Sequence, residues 1–398
     1  MISGGHPSPA QSSEVVSVEN NVGGEVSRPG AEELVEVYAG WSRKRLVFLL
    51  SMSLGVAVVS VLALCVGAVD VPLADTVSVL FRGLMPGLIA EPSNPHYATI
   101  ITEMRAPRIV LTVLTGVSLG IAGMVMQGLL RNPLVSPFTL GVSTASSFGA
   151  AMSIVFGTAL FGTAYYTSFS ILGMTFSFSS FSTVMMSFVF GLCSIAIVLF
   201  LTRDSNVSRS TVILSGVIIS YIFQAGIMFA KYASDDDQLR EIALWMMGGL
   251  SNVTWSTIVI VLPVVLVCGI YLEKLSSDIN VLSSGDDVAR NLGIDVRKLR
   301  NRGLVFSTLI TTVCIAFTGI IGFIGLMAPH ICRMLIGNDS RYLLPASALM
   351  GAAILLISDT FSRVVMRPEE LPVGIIMYII GGIFFIWLVC GKKLGDRA

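Results

Sequence analysis

The sequence predicts an all-α bundle that crosses a membrane about ten times, and three observations carry that prediction. Hydrophobic residues make up 54% of the 398 residues and charged ones only 13%, about half of what a water-facing surface usually carries. Apolar runs of about 20 residues, the length that spans a bilayer as a helix, recur between residues 46 and 390. Cations gather at the ends of particular runs rather than throughout, as they do where loops are held on one side of a membrane.

Residues 1–41 are unlike the rest: rich in Ser, Gly, Val and Glu, with Pro7, Pro9 and Pro29 and no apolar run. They read as a disordered cytoplasmic tail, with room for a short helix about 32–38, and without the hydrophobic segment of a secretory signal. Residues 42–398 read as one ten-span domain. The spans fall at 46–68, 109–130, 138–160, 181–201, 210–230, 254–273, 303–321, 322–336, 343–365 and 373–390.

Topology decides the split inside 303–336, a stretch long for one helix and short for two. Arg43, Lys44 and Arg45 precede the first run, and Lys392, Lys393 and Arg397 follow the last. The positive-inside rule therefore places both termini in the cytoplasm and demands an even number of crossings. Ten spans also collect Lys274, Arg290, Arg297, Lys298, Arg300 and Arg302 in one cytoplasmic loop, 274–302, and leave Asp235, Asp236 and Asp237 outside. The second member of the pair is expected to be a short helix broken near Pro329, its irregular backbone lining protein. Gly116, Gly120 and Gly123 on the second span, and Gly319, Gly322 and Gly325 on the split pair, suit close helix packing in lipid.

Several functions are excluded at this level. The formal net charge is zero, which gives no hint of nucleic-acid binding. Six cysteines lie in or beside apolar runs without a Cys-x-x-Cys pair, and His6, His96 and His330 are scattered, so no metal set emerges. The chain has no Gly-x-x-x-x-Gly-Lys-[Ser/Thr], so it binds no ATP through a P-loop.

Four stretches place polar residues where a plain membrane helix would not. Arg105-Ala-Pro-Arg108 stands at the expected external mouth of the second span; the proline suits a helix start and the arginines share a face. They either bind lipid headgroups or face outward to dock an acidic partner, and spacing alone favours lipid. Residues 127–141, QGLLRNPLVSPFTLG, link two spans. Pro133 and Pro137 enforce a non-helical connection there, and Gln127 and Asn132 are candidates to satisfy its backbone. In 274–302, Ser284 or Asp286 can cap a short amphipathic helix, Asp286 and Asp287 favour its first turn, and Gly293 can close it. That helix is either a handle for a soluble partner or a solvated connector. The last stretch runs from Gly322 through Pro329, His330 and Arg333 to Asp359, Arg363 and Glu370. Asp359 and Arg363 stand four apart and are able to neutralise each other; a proton relay through Asp359 is the rival reading.

These stretches closely resemble the FecCD-type permease family, the membrane subunits of bacterial ABC importers for iron–siderophore complexes, haem and vitamin B12. The matching text is RAPRIVLTVLTGVSLGIAGMVMQGLLRNPLVSPFTLGVS, LWMMGGL, GDDVARNLGI, GFIGLMAPHICRMLIG, LLPASALMGAAILLISDTFSR and ELPVG. It stands in family order and spacing between Leu46 and Gly391; residues 1–41 and the Phe/Ser-rich stretch near 165–182 lack counterparts.

The resemblance implies a type II ABC importer permease, multi-pass in the bacterial plasma membrane. It implies a homo- or heterodimer of permeases around a central pathway, two cytoplasmic ATPases that bind the ATP, and an extracytoplasmic binding protein. It assigns Arg105, Arg108 and Arg363 to docking glutamates of that binding protein, which reverses the preference for lipid. It assigns Asp286, Asp287, Ala289, Arg290, Leu292 and Gly293 to a coupling helix seated in an ATPase cleft. Ser215, Gly216, Ser220 and Gln224 resemble pathway-lining positions. Gln127, Asn132, Pro133, Pro329, His330 and Asp359 read as structural. Ferric siderophore is the commonest cargo of the family, with haem and cobalamin behind it, and the chain itself is expected to hold no cofactor or metal.

Two other classes stand beside this one. An ion-coupled transporter would use Asp359 and His330, and a membrane-embedded enzyme would need a nucleophile or metal set beside that pair. Tyr165, Tyr166, Phe178 and Phe181 read as an interfacial aromatic belt, with contact to a bulky ligand as the alternative.

Overall fold

The computed structural model describes residues 31–82, 91–171, 174–203, 208–251 and 253–395. Of the tail expected over residues 1–41, residues 1–30 lie outside the described residues, as does Arg397, and residues 31–41 are helical. The chain divides into two units, 1–44 and 45–398. The first is described from residue 31, as helix. The second holds the membrane bundle.

Helix α1 (Ala31–Cys65) carries the first apolar run, followed by the short α2 (Leu73–Arg82). Helix α3 (His96–Thr99) passes through a π-helical stretch, Ile100–Arg105, into α4 (Ala106–Leu130). Helix α5 (Val142–Phe161) leads through a 3-10 turn to the strands β1 (Ser168–Ile171) and β2 (Met174–Ser177). Then come α6 (Phe178–Leu201), α7 (Arg209–Ala233), α8 (Asp236–Met247) and α9 (Trp255–Lys274). The connection after α9 holds α10 (Ser276–Ser283) and α11 (Asp286–Asn291). Helices α12 (Val296–Thr318), α13 (Ile324–Ile336), α14 (Ser340–Val365) and α15 (Val373–Gly395) complete the chain.

Among the described residues, nine helices are long and apolar enough to cross a membrane. The tenth apolar segment, α13, has 13 residues, about 20 Å of helix against about 30 Å of hydrocarbon. The expected split of 303–336 is present, but the break lies at 319–323 and not at Pro329. There Gly319 and Phe323 both take positive φ, +66° each, which ends α12 and turns the chain. Helix α13 runs through Pro329 for a specific reason. Proline offers no N–H to the carbonyl four residues earlier, that of Gly325. Gln127 Nε2 donates to that carbonyl instead, at 3.1 Å, so the helix has no unpaired acceptor to relieve.

Helix α4 is the axis of the bundle. Its most apolar window is 83% buried, against 11% for the first span. The burial follows from its glycines: Gly116 faces the backbone of Gly351 and Ala352, Gly120 that of Ser347, and Gly123 that of Gly325. A Cβ at these positions would strike main chain, so small residues set how closely α14 and α13 approach.

Two elements without a spanning run, α8 and the β1–β2 hairpin, escaped the sequence reading. Helix α8 opens with a reciprocal capping box, Asp235 Oδ1 accepting from Gln238 N at 2.8 Å while Gln238 Oε1 accepts from Asp235 N at 3.2 Å. Twelve residues long, it ends against the 319–323 break, where Gly249 N donates to the Thr318 carbonyl at 2.8 Å. In the hairpin, Phe169 pairs with Phe176, ring centroids 5.8 Å apart, and Phe181 of α6 stands edge-on to Phe169 at 5.2 Å.

Candidate functional site

Polar chemistry concentrates at the two ends of α4, a helix of 25 residues and so about 37 Å long. At its first end, the expected docking trio comes together, but not facing outward. Arg105, Arg108 and Arg363 are all buried. Arg105 donates to the carbonyls of Leu64, at 2.6 Å, and Val69. Arg108 donates to Asp359 Oδ1 through Nη2 at 2.8 Å and Nε at 3.1 Å, and to Glu370 Oε2 through Nη1 at 2.5 Å. Arg363 donates to the carbonyls of Val66, at 2.8 Å, and Ala63, at 3.2 Å. Its Nε lies 3.2 Å from Asp359 Oδ2, the i,i+4 pair the spacing implied. The outward orientation fails because acceptors inside the chain outcompete water: carbonyls at the end of α1, which lack intrahelical donors, others just beyond it, and a carboxylate that no water reaches.

Around this cluster, the exposed cations are also paired. Arg367 donates to both carboxylate oxygens of Asp70, at 2.9 and 3.0 Å, and that hydrogen bond holds Asp70 below the ordinary carboxylate range. Arg82 pairs with Glu91 at 2.5 Å, which likewise keeps Glu91 low. Asp359 is thus enclosed by guanidinium groups, whereas His330, on α13, lies beside Phe384 with ring centroids 6.0 Å apart.

At the other end, the 274–302 connection contains two helices, α10 and α11, and the opening of α12, so the seventh span starts at Val296 rather than 303. Neither Ser284 nor Asp286 caps α11. The N-cap is Gly285, at φ +135°, with no side-chain hydrogen bond. Asp286 is instead drawn to three arginines, Arg300 of α12 at 3.1 Å, Arg209 of α7 at 3.6 Å and Arg131, just after α4, at 4.0 Å. Gly293, at φ +86°, closes the helix as its type suggests, with its N–H donating to Arg290 O at 2.9 Å. Ala289 is the buried anchor, Asp287 and Arg290 pair at 3.3 Å in the open, and Leu292 is 67% exposed.

Caps fix the flanks of this face. Asp295 accepts from Lys298 N at 3.0 Å at the start of α12, and that bond lowers its pKa. Asp339 caps α14 and also accepts from Arg45 at 3.1 Å and Asn280 at 2.7 Å. Burial pushes the Asp339 carboxyl up, but donors led by Arg341 outweigh it and hold the group low.

The link 127–141 behaves as a structured element. Gln127 bridges the Gly325 carbonyl and Arg333, whose Nη2 donates to Oε1 at 2.5 Å. Asn132 Oδ1 accepts from Leu134 N at 2.9 Å, fixing the turn around Pro133. The polar residues of α7 serve packing. Ser215 is buried, Gly216 faces the backbone of Thr139 and Leu140, and Ser220 Oγ donates within its helix to Gly216 O at 2.8 Å. Gln224 is half-buried. The outward face of α7 is apolar and aromatic, with Leu214, Ile218, Tyr221 and Ile222 exposed.

The chain matches the FecCD transport family over residues 55–391. A protein of Methanocaldococcus jannaschii, assigned as an ABC transporter permease, is 37% identical over 358 residues, covering 90% of this chain and 98% of the relative. The hemin transport system permease of Yersinia pestis is 35% identical over 292 residues, 73% of this chain and 83% of its own. Other relatives are named for import of Fe(3+)-citrate in Bacillus subtilis, vitamin B12 in Salmonella arizonae and molybdate in Haemophilus influenzae. A solved chain assigned to the metal-chelate type of ABC transporter, in an inward-facing conformation, superposes with a TM-score of 0.72 at 28% identity, covering 86% of this chain and 98% of that one. With its spans in place and its match running nearly end to end, this chain belongs to the FecCD transport family and is a multi-pass, type II permease subunit of an ABC importer.

Proposed function

We propose that this permease pairs with a second one to form the pathway by which a ferric siderophore crosses the cell membrane. An extracytoplasmic binding protein delivers the complex, and two cytoplasmic ATPases bind the ATP for which this chain has no P-loop. The family match over residues 55–391 carries the reading, and relatives named for hemin and Fe(3+)-citrate favour an iron complex. Haem and cobalamin are the alternatives within the family.

In this reading both termini are cytoplasmic, with Arg43, Lys44 and Arg45 on the inner side. The α10–α11 face then meets the ATPases, and Val288 and Leu292, both exposed, enter their cleft. The Asp359 end receives the binding protein. Arg108 is the group able to engage an incoming glutamate, because its outer partner Glu370 is part-exposed and replaceable while its buried pair with Asp359 stays in place. Arg105 and Arg363 hold the surface in shape behind it. Helix α7 borders the pathway, with Gln224 as its accessible polar residue. Asp359 serves as a counter-ion for arginines, which supports pumping by ATP over an ion-coupled relay.

Reconstitution in liposomes with the ATPases and binding protein tests the proposal. ATP-dependent uptake of a ferric siderophore, exceeding that of haemin and cyanocobalamin, is expected. Uptake driven by a proton gradient without ATPases would overturn the class, and uptake of only haemin or cyanocobalamin would replace the cargo.

A further inference from the structure

Asp286 is tethered on one side only. Its Oδ2 accepts from Arg300 Nη2 at 3.1 Å, while Oδ1 is screened from water and has no hydrogen-bond partner. Oδ1 lies 3.6 Å from Arg209 Nη2 and 4.0 Å from Arg131 Nη1, against about 2.9 Å for a charge-assisted hydrogen bond. The three arginines stand on different elements. Arg131 follows α4, Arg209 opens α7 and Arg300 lies near the start of α12. Among the described residues, neither Arg131 nor Arg209 has another carboxylate within ion-pair distance.

Helix α11 is short and held by the single buried side chain of Ala289. The helix is six residues long and is flanked by Gly285 and Gly293, both at positive φ, where only glycine turns without strain. Two cavities adjoin the cluster, about 340 Å³ lined in part by Arg290 and Arg300, and about 420 Å³ lined in part by Arg131. With three guanidinium groups around one carboxylate, a small displacement of Asp286 would leave it a counter-ion.

We propose that Asp286 is the movable joint between the coupling helix and the spans, and that Arg209 and Arg131 are its receiving contacts. When an ATPase displaces α11, Oδ1 closes onto Arg209, the nearer group, and the displacement enters α7 at its first turn. Arg300 acts as the fixed tether, and Arg131, just after α4, is the farther of the two receiving contacts. Bistable contacts of this kind turn a small shift at one element into a discrete change at another. Arg131 and Arg209 are positioning residues here; neither touches cargo or nucleotide. The inference rests on the reading that α11 engages an ATPase.

The test uses the whole permease–ATPase complex in nanodiscs, with an environment-sensitive fluorophore on Leu214→Cys of α7 and the exposed Cys193 and Cys390 changed to serine. The probe is ATP with vanadate against no nucleotide. The nucleotide-dependent signal from α7 is expected to fall about threefold in Arg209→Gln and about tenfold in Asp286→Asn, since the former removes one partly exposed contact and the latter all three. Arg209→Lys, which keeps the charge, restores part of the signal, which a loss tied only to the shape of the arginine side chain would not allow. A signal in Arg209→Gln and Asp286→Asn equal to that of the parent overturns the joint, as does a parent complex that hydrolyses ATP without any response in α7. Failure of the parent to assemble with ATPases overturns the import reading instead.

Discussion

Asp359 and Asp286 each sit among arginines drawn from distant parts of the chain, one at either end of α4, but water treats them differently. The Asp359 side chain is 0% exposed, with Arg108 at 10% and Arg363 at 2%. Asp286 is 23% exposed, with Arg300 at 15% and Arg131 and Arg209 at 34% each. In the buried cluster both oxygens of Asp359 accept hydrogen bonds and Arg363 Nε makes only the ion pair at 3.2 Å; the other cluster leaves one carboxylate oxygen unbonded. The same two residue types therefore do different work. In a low-dielectric interior, a broken ion pair strands a charge, so the arrangement has one state. Near water the pairs are weak and replaceable, so several states are close in energy. One end of the bundle is built to stay and the other to move.

The largest effect that could break this comparison lies at Asp359. Asp359→Ala leaves Arg108 and Arg363 buried without their shared carboxylate, which costs about 3–5 kcal/mol. Detergent-solubilised protein is expected to lose its thermal transition or fail to accumulate. If Asp286→Ala destabilises as much, the distinction between the two ends is wrong.

The comparison also assumes that α4 is a stiff strut between them. Gly123→Val drives a side chain into the Gly325 backbone, and overpacking of this kind costs about 1–3 kcal/mol. The melting temperature should drop, and the drop should be larger than for Gly55→Val, because Gly55 on α1 faces open space.

A somewhat smaller loss is expected at Gln127. Gln127→Leu removes the donor to Gly325 O and the acceptor for Arg333, leaving buried polar groups unpaired at about 1–3 kcal/mol. Combining it with Pro329→Ala sharpens the point. Alanine returns an N–H to the Gly325 carbonyl, so the double variant should recover part of the loss in thermal unfolding. No recovery would mean that Gln127 does not stand in for the missing proline donor.

That pair of residues also explains what the sequence reveals and what it hides. Local relations were legible: the long spans, the i,i+4 partnership of Asp359 and Arg363, and the closing role of Gly293. Distant relations were not. A proline in an apolar helix implies a break, and nothing near Pro329 in the chain says that Gln127, some 200 residues away, will supply the lost hydrogen bond. Arginines at a helix mouth imply an outward face, and only folding brings Glu370 and the carbonyls of α1 to turn them in. Asp286 next to Gly285 has the form of a cap, but three arginines from other helices outcompete a backbone N–H. The Asp235-x-x-Gln238 box was legible by its spacing, yet it opens a helix too short to show as an apolar run.

The smallest expected effect is also the one that discriminates best. Arg131 lies 4.0 Å from Asp286 and is about a third exposed, so Arg131→Gln should change unfolding stability by less than about 1 kcal/mol. Salt separates the two ends further. At about 1 M ionic strength, charges are screened beyond about 3 Å, so the parent and Arg131→Gln should unfold alike. Asp359→Asn should keep its full deficit against the parent at the same salt, because its partners are dry and in direct contact. A deficit at Asp359 that vanishes with salt would show water reaching that cluster, and a salt-resistant deficit at Arg131 would show that the open end is as fixed as the buried one.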